Sequence, residues 1–210
     1  MPNDTQLVQI VADAFTDAAR RSSSMSGSWL PCHLGCNQCC IGVFPISALD
    51  AQRLRDGITA LEHDDPERAA RVHERATRSR ERLTPHFPGD PETGILREDD
   101  AANEAFEDFA NDEPCPALDP ATGGCDLYAA RPMTCRIFGP PVRSAEGIGV
   151  CELCFVGAPQ EDILAAELDT SWSPLEDELN AQAELDSGQH GSTLVAFVLA
   201  PRSHNSSSSL

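Results

Sequence analysis

Lysine is absent from this sequence. All 15 basic residues are arginine, and they face 34 aspartates and glutamates, for a formal net charge of −19. A body so acidic repels nucleic-acid phosphates, so DNA and RNA are not expected partners. The missing lysine fits base composition or a salty habitat better than a function. Aromatic residues are scarce, 5% of the chain against 40% hydrophobic overall, so a core can form but stays thin. Long apolar runs are missing too. The longest, Leu194 to Ala200, falls far short of the roughly 20 residues that span a bilayer, and no membrane partner is expected. The start, Met1-Pro2-Asn3-Asp4, lacks the basic and apolar regions of a signal peptide, so the expected compartment is cytoplasmic. No glycine-rich nucleotide loop follows a candidate strand, and there is no internal repeat.

What the chain has in excess is cysteine, nine in all. Cys32-His33-Leu34-Gly35-Cys36-Asn37-Gln38-Cys39-Cys40 places four thiols within nine residues, and Cys115, Cys125, Cys135 and Cys151-Glu152-Leu153-Cys154 follow far downstream. In a reducing compartment such a set reads as metal-binding or catalytic rather than as a disulfide framework, and the odd count fits full pairing poorly. If the first block is helical, Cys32, Cys36 and Cys39 share a face; if it is a knuckle, Cys36-x-x-Cys39 is a two-thiolate hook. Thiolates crowded in this way repel, so a cation or a disulfide must compensate. Zinc takes four such ligands in a closed tetrahedron, and iron–sulfur clusters are also held by cysteine thiolates. Cys39 and Cys40 diverge from one backbone and are expected to serve different metal atoms, or to divide between a ligand and a supporting role.

The central expectation is that the two blocks meet at metal, with Cys32, Cys36, Cys39, Cys40, Cys115, Cys125, Cys135, Cys151 and Cys154 as candidate ligands. Arg131 and Arg136 flank Cys135. They are expected either to offset thiolate charge and donate hydrogen bonds to sulfur, or to form ordinary salt bridges. Some cysteines could instead be small buried hydrophobes, a reading that applies most readily to Cys151 and Cys154. His33 is expected in solvent, Tyr128 to pack with its hydroxyl bonded, and Trp29 to pack over the site.

Apolar spacing predicts helices over Asp4 to Arg21, capped by Asp4, and from Ser47 through Leu61, with Ser47 and Asp50 as a capping pair and Gly57 interrupting the stripe. A polar linker is expected at Ser22–Ser28, and extended chain at Ile41–Pro45. Asp65-Pro66 opens another helix. Its inner face is Ala69, Val72, Ala76 and Leu83, and its outer face carries Arg68, Arg71, Arg75, Arg78 and Arg82. That outer face reads as solvated, with Glu67–Arg71 and Glu74–Arg78 pairs; a docking stripe, or pairing with the acidic helix Glu98–Ala110, are the alternatives. The acids of that helix do not match a calcium loop. Pro85–Gly94 is expected to be a loop, and Cys115–Phe138 irregular backbone dense with turns. Helices are expected at Gln160–Leu168 and at Pro174–Leu185, the second with a Ser173–Glu176 capping box. Leu194–Leu199 should be a short buried strand or helical turn, and residues 203–210 a disordered tail.

Cys32-x3-Cys36-x2-Cys39 alone matches the cluster spacing of radical S-adenosylmethionine enzymes, but the helices and turns downstream do not suit their barrel. The whole set resembles the YkgJ-like cysteine-cluster family, the zinc- or iron-chelating CxxCxxCC domain. The resemblance rests on Cys32-x3-Cys36-x2-Cys39-Cys40, Cys115-Pro116-Ala117-Leu118, and Cys125 to Phe138 with its Tyr128-x-x-Arg131-Pro132 and Cys135-Arg136-x-Phe138 elements. It covers Cys32 to Phe138 and leaves Cys151 and Cys154 outside. The three-residue gap after Cys32 departs from the family's two. The resemblance implies zinc or an iron–sulfur cluster, of the 4Fe-4S type. One similar branch acts in flagellin lysine methylation, which implies an iron–sulfur-dependent, protein-modifying enzyme as the alternative function.

These observations give a mainly α, cysteine-rich single domain whose helices pack around a loop-built metal centre. Residues 1–28 are read as an N-terminal helix and linker, 29–157 as the cysteine-cluster domain, 158–202 as a helical extension and 203–210 as the tail. The expected function is metal binding through the cysteine cluster; a protein partner is left open.

Overall fold

In a computed structural model, which describes residues 3–23, 29–33, 35–144 and 147–201, helix α1 runs from Asp4 to Ser23. Its cap lies one residue before the expected Asp4. Gln6 N–H donates to Asn3 Oδ1 and Asn3 N–H to Gln6 Oε1, both at 3.0 Å, a reciprocal pair that satisfies free N–H groups at the helix start. The Asp4 carboxylate is then available to accept from Arg53 Nε at 2.8 Å. Ser22 and Ser23 finish the helix rather than opening a linker. Residues 24–28 and the expected tail lie outside the described residues.

Ser47 caps α2 (Ala48–Asp64), its Oγ accepting from Asp50 N–H at 3.2 Å. Gly57 does not interrupt this helix. It lets the helix approach the 3-10 turn Tyr128–Ala130 closely, since a Cβ at residue 57 would lie 2.3 Å from Ala130 Cβ. Asp65 ends α2 and caps α3 (Pro66–Leu83), accepting from Arg68 N–H at 3.0 Å. Pro66 then costs nothing, because a first-turn N–H has no partner inside the helix. The final described helix, α8 (Val195–Leu199), packs on both α2 and α3. It is brought there by Ile46 and Thr193, which exchange backbone hydrogen bonds at 2.9 and 3.0 Å. Ile46, Leu54, Ile58, Ala69, Val72, Ala76 and Leu199 form the buried cluster between them. Fully burying each larger aliphatic side chain contributes about 1.5–3 kcal/mol.

Two further clusters flank this one. Phe87, Leu96, Phe109 and Leu194 pack with Phe197 beside an antiparallel ribbon of β1 (Gly89–Asp90) and β2 (Ile95–Leu96), where a plain loop was expected. Helix α4 (Asp100–Glu107) is shorter than predicted. Asp99 caps it, and the chain leaves the helical region before Ala110, which has φ 53°. On the other side, Leu7, Val11, Leu49, Met133 and Trp172 meet Leu175, Leu179 and Ala183 of α7 (Ser173–Ser187). The expected Ser173–Glu176 box does not form. Buried Trp172 takes the cap position, and Ser173 is already helical. The remaining elements are α5 (Met133–Ile137), an antiparallel ribbon of β3 (Val142–Ser144) and β4 (Gly147–Gly149), and α6 (Gln160–Ala165). The fold is mainly α, as expected, and no described helix is long and apolar enough to cross a membrane.

The arginine face of α3 is solvated only in part: Arg71, Arg78 and Arg82 are exposed as predicted, while Arg68 and Arg75 turn to a shared partner. Arg68 and Arg75 both donate to Asp126, whose side chain is only 3% exposed. Arg75 Nε also donates to the Pro116 carbonyl at 2.8 Å, and Arg82 pairs with Glu113. Arg78 keeps the expected pair with Glu74. These partners belong to the turn-dense chain of residues 113–126, not to the acidic helix. A buried carboxylate without paired charge is costly, so Asp126 draws two guanidiniums and fastens that chain to α3.

Candidate metal centre

Three segments bring thiols to one cavity. The first is the knuckle that ends in the 3-10 turn Gln38–Cys40. Cys115 N–H donates to the Cys40 carbonyl at 2.7 Å and Gly42 N–H to the Glu113 carbonyl at 2.9 Å, which fixes Cys115 beside the knuckle. The second segment doubles back. Leu118 bridges Cys125, and Asp119 caps the intervening turn by accepting from Ala121 N–H at 3.0 Å and Thr122 Oγ1 at 2.8 Å. Gly123, at φ 69°, makes this turn possible, and a Cβ there would meet the Gly35 carbonyl at 3.3 Å. Cys125 is thereby returned to Cys115, with the anchored Asp126 next to it. The third segment is α5, which carries Cys135. Its start is tied to α2 because Met133 N–H donates to Asp50 Oδ1 at 2.9 Å. Asp50 therefore does more than sit at a helix start: it is buried, pairs with Arg53 at 2.6 Å and joins α2 to α5.

The resulting cavity, about 90 Å³, is lined by Cys36, Cys39, Cys40, Cys115, Cys125 and Cys135, with Arg131, and by apolar residues such as Leu54, Leu127 and Val195. Its electrostatics single out one thiol. The Cys40 thiol donates to Cys39, and this bond, with the Cys39 backbone N–H and the nearby Arg131 charge, outweighs burial and brings Cys39 down to about 6. Cys40 is pushed up by the same bond, by burial, and by the Cys39, Cys115 and Cys125 charges. Burial raises Cys115 to about 12, helped by Cys125 and Cys39. Burial raises Cys125 and Cys135 as well, against the pull of Arg131. Burial and like charges disfavour further thiolates here; a metal cation reverses that balance by displacing the protons.

Cys32, Cys151 and Cys154 do not line this cavity. They form a second group, in which Cys32 Sγ lies 3.9 Å from Cys154 Sγ and Cys154 N–H donates to the Cys151 carbonyl at 2.8 Å. Cys151 and Cys154 are buried and pack with Phe155, Ala166, Trp29 and Leu30. Trp29 thus covers the second group, with its Nε1–H held by Asp162 at 2.8 Å. Among the described residues no three His, Cys, Asp or Glu side chains stand in a constellation that could hold a metal ion unrearranged. Closing either group on an ion therefore involves thiol rotation between staggered rotamers.

The flanking residues divide. Arg131 meets the cavity, stacks over the Tyr128 ring at 3.6 Å, and has a buried Nε without a hydrogen-bond partner. Arg136 instead donates to the carbonyls of Arg131, at 2.9 Å, and of Ala129. It clips the turn that presents Arg131, and does not line the cavity. Neither arginine makes a salt bridge among the described residues. Tyr128 is 60% exposed rather than packed inside. His33 is exposed as expected, its Nδ1–H donating to the Pro31 carbonyl at 2.8 Å, although it reaches the cavity rim. Asp50 and Asp126 are the supporting residues that cysteine spacing missed. Asp126 could have been found as a lone acid beside Cys125 facing arginines on a helix; nothing local marks Asp50.

The donor set fits a metal or cluster: six thiols converge, and the buried, unpartnered Arg131 Nε supplies a donor beside sulfur. No curated protein and no solved structure matches the chain. A family model described as "CxxCxxCC: putative zinc- or iron-chelating domain" matches residues 31–154. The match covers more than half of the chain and runs beyond the expected limit at Phe138, so it includes Cys151 and Cys154. The chain belongs to this CxxCxxCC family, and metal binding by its cysteine-bearing domain follows from that membership.

Proposed function

We propose that the cavity lined by Cys36, Cys39, Cys40, Cys115, Cys125 and Cys135 holds an iron–sulfur cluster of the 4Fe-4S type. The observation that carries this reading is the convergence of six thiols from three segments on one small cavity. One zinc ion in a closed site takes four thiolates and a 4Fe-4S cluster takes four as well, one per iron; the all-thiol donor set leans to the cluster, with two of the six sulfurs left beside it. Cys39 and Cys40, neighbours on one backbone, then serve different atoms of it. When bound, such a cluster supplies either electron transfer or a structural node. The chain's own residues hold and tune it. Arg131 offsets thiolate charge and donates to sulfur, while Leu54, Leu127 and Val195 keep water away from it.

Zinc is the second reading. A four-thiolate site made of Cys36, Cys39, Cys151 and Cys154 draws no support from the geometry, since the first two line the cavity and the last two pack elsewhere. A zinc centre would use the same six thiols, some of them bridging two ions. No feature of the described residues favours the protein-modifying alternative. The test is Cys39→Ser and, separately, Cys115→Ser, purified without oxygen. Each variant should lose bound metal and soluble yield. Unchanged metal content and melting temperature in both would contradict the assignment.

A further inference from the structure

We propose that a second cavity, lined by no cysteine, binds a small organic monocarboxylate. The cavity measures about 520 Å³ and shares no lining residue with the six-thiol one. Volumes of roughly 300–1,000 Å³ suit small-molecule ligands. Its walls come from α2, α3, the β1–β2 ribbon, residues 187–193 and α8. These walls are tied to one another. Leu96 N–H donates to the Ser192 carbonyl at 2.9 Å, and Thr193 Oγ1 to the Gly94 carbonyl at 2.6 Å. The site is therefore built before any ligand arrives, and it does not draw on the metal-holding reading.

Charge selects the ligand. The chain carries −19 in all, yet the charged residues of this lining are Arg55, Arg80 and Glu92, two guanidiniums against one carboxylate. Arg80 is the decisive residue. On either side of it along α3, Arg78 pairs with Glu74 and Arg82 with Glu113. Arg80 instead donates to the Pro91 carbonyl at 3.2 Å and lies 5.2 Å from the centroid of the Phe197 ring. Phe87 steadies that ring in turn, their centroids 4.4 Å apart. Both partners of Arg80 are neutral, so its charge is oriented but not cancelled. A guanidinium offers five donors in a rigid fork that matches a carboxylate, and a fork held in place beforehand loses less freedom on binding. Arg55 supplies the second cation and donates to Gln189 Oε1 at 3.2 Å. Glu92 repels a dianion such as phosphate more than a monoanion, because repulsion grows with the product of the charges. Ile95 and Phe197 give the organic part of the ligand an apolar wall.

The experiment titrates the full-length chain, with its metal as purified, against benzoate by ligand-observed NMR. Benzamide, the uncharged counterpart, and inorganic phosphate are titrated beside it. Benzoate should bind at least about tenfold more tightly than either, the gain expected of hydrogen bonds between charged groups. Arg80→Gln keeps a donor and most of the bulk, and should weaken benzoate about tenfold while leaving benzamide unchanged. Glu92→Gln, at an exposed position, should tighten benzoate about two- to fivefold by removing the repulsion; a role in folding alone would not. Equal binding of benzoate and benzamide, tighter binding of phosphate, or no binding of any of the three overturns the proposal. So does an Arg80→Gln that binds benzoate like wild type. If Arg80→Gln does not fold, the direction of the Glu92→Gln effect decides. Iron and zinc are counted on the same samples: a chain without metal that still binds benzoate overturns the earlier reading and leaves this one standing.

Discussion

Arg131 is where charge meets sulfur. Among the described residues it is the sole arginine lining the six-thiol cavity, and its charge lowers Cys39 and opposes the rise of Cys125 and Cys135. Arg131→Gln keeps a donor and most of the bulk but removes the charge. Metal affinity should fall about 10–100-fold, the range for supporting groups around a metal, as read by chelator competition; an unchanged affinity would show that the guanidinium is only packing on Tyr128. A second residue is tuned away from the site. Burial, then the Asp50 charge, lifts Glu176 to about 7 from 4.5, against the pull of Arg53. The folded chain thus holds this proton more tightly than the unfolded chain. Its contribution to stability is full below about pH 4.5 and fades as pH rises through about 7. Glu176 is half-buried, so solvent screening limits the effect to on the order of 1 kcal/mol, or roughly 2–4 °C for a chain of this size. Glu176→Gln should melt like wild type near the lower pH and above it at the higher; parallel melting at every pH would contradict this.

At the level of elements, α2 packs closely against the turn Tyr128–Ala130, where Gly57 leaves no room for a Cβ. That turn runs directly into Arg131, so the helix face sets where the arginine stands. Gly57→Ala should cost about 1–3 kcal/mol by overpacking and lower metal loading with it. Ala130→Gly, added to it, removes the clashing methyl and should restore most of both losses; additive damage in the double variant would contradict the contact. Caps such as Ser47 and Asp65 were legible in the sequence because each acts within three residues of itself. Ser173 misled because buried Trp172, held by α1 and α5, decides where α7 starts. The arginines of α3 misled for a related reason. Periodicity placed them on an outer face, but their partners Asp126 and Glu113 lie more than thirty residues on, in chain whose path no local signal gives.

For the whole molecule, the meeting of Cys36, Cys39 and Cys40 with Cys115, Cys125 and Cys135 was legible, since crowded thiolates repel and call for compensation. The parting of Cys32 from them was not. Cys32 stands only four residues from Cys36, yet it turns to Cys154 while Cys36 faces the cavity. Spacing alone does not say which way each thiol points. The six-thiol cavity is therefore the element on which the functional account stands. Its most direct test is the iron, zinc and acid-labile sulfide content of the full-length chain purified anaerobically. The account predicts about four iron atoms and as many sulfides per chain in a brown protein, lost in Cys39→Ser. Stoichiometric zinc without sulfide would move the assignment to zinc, and a wild-type chain holding neither metal would contradict the account outright.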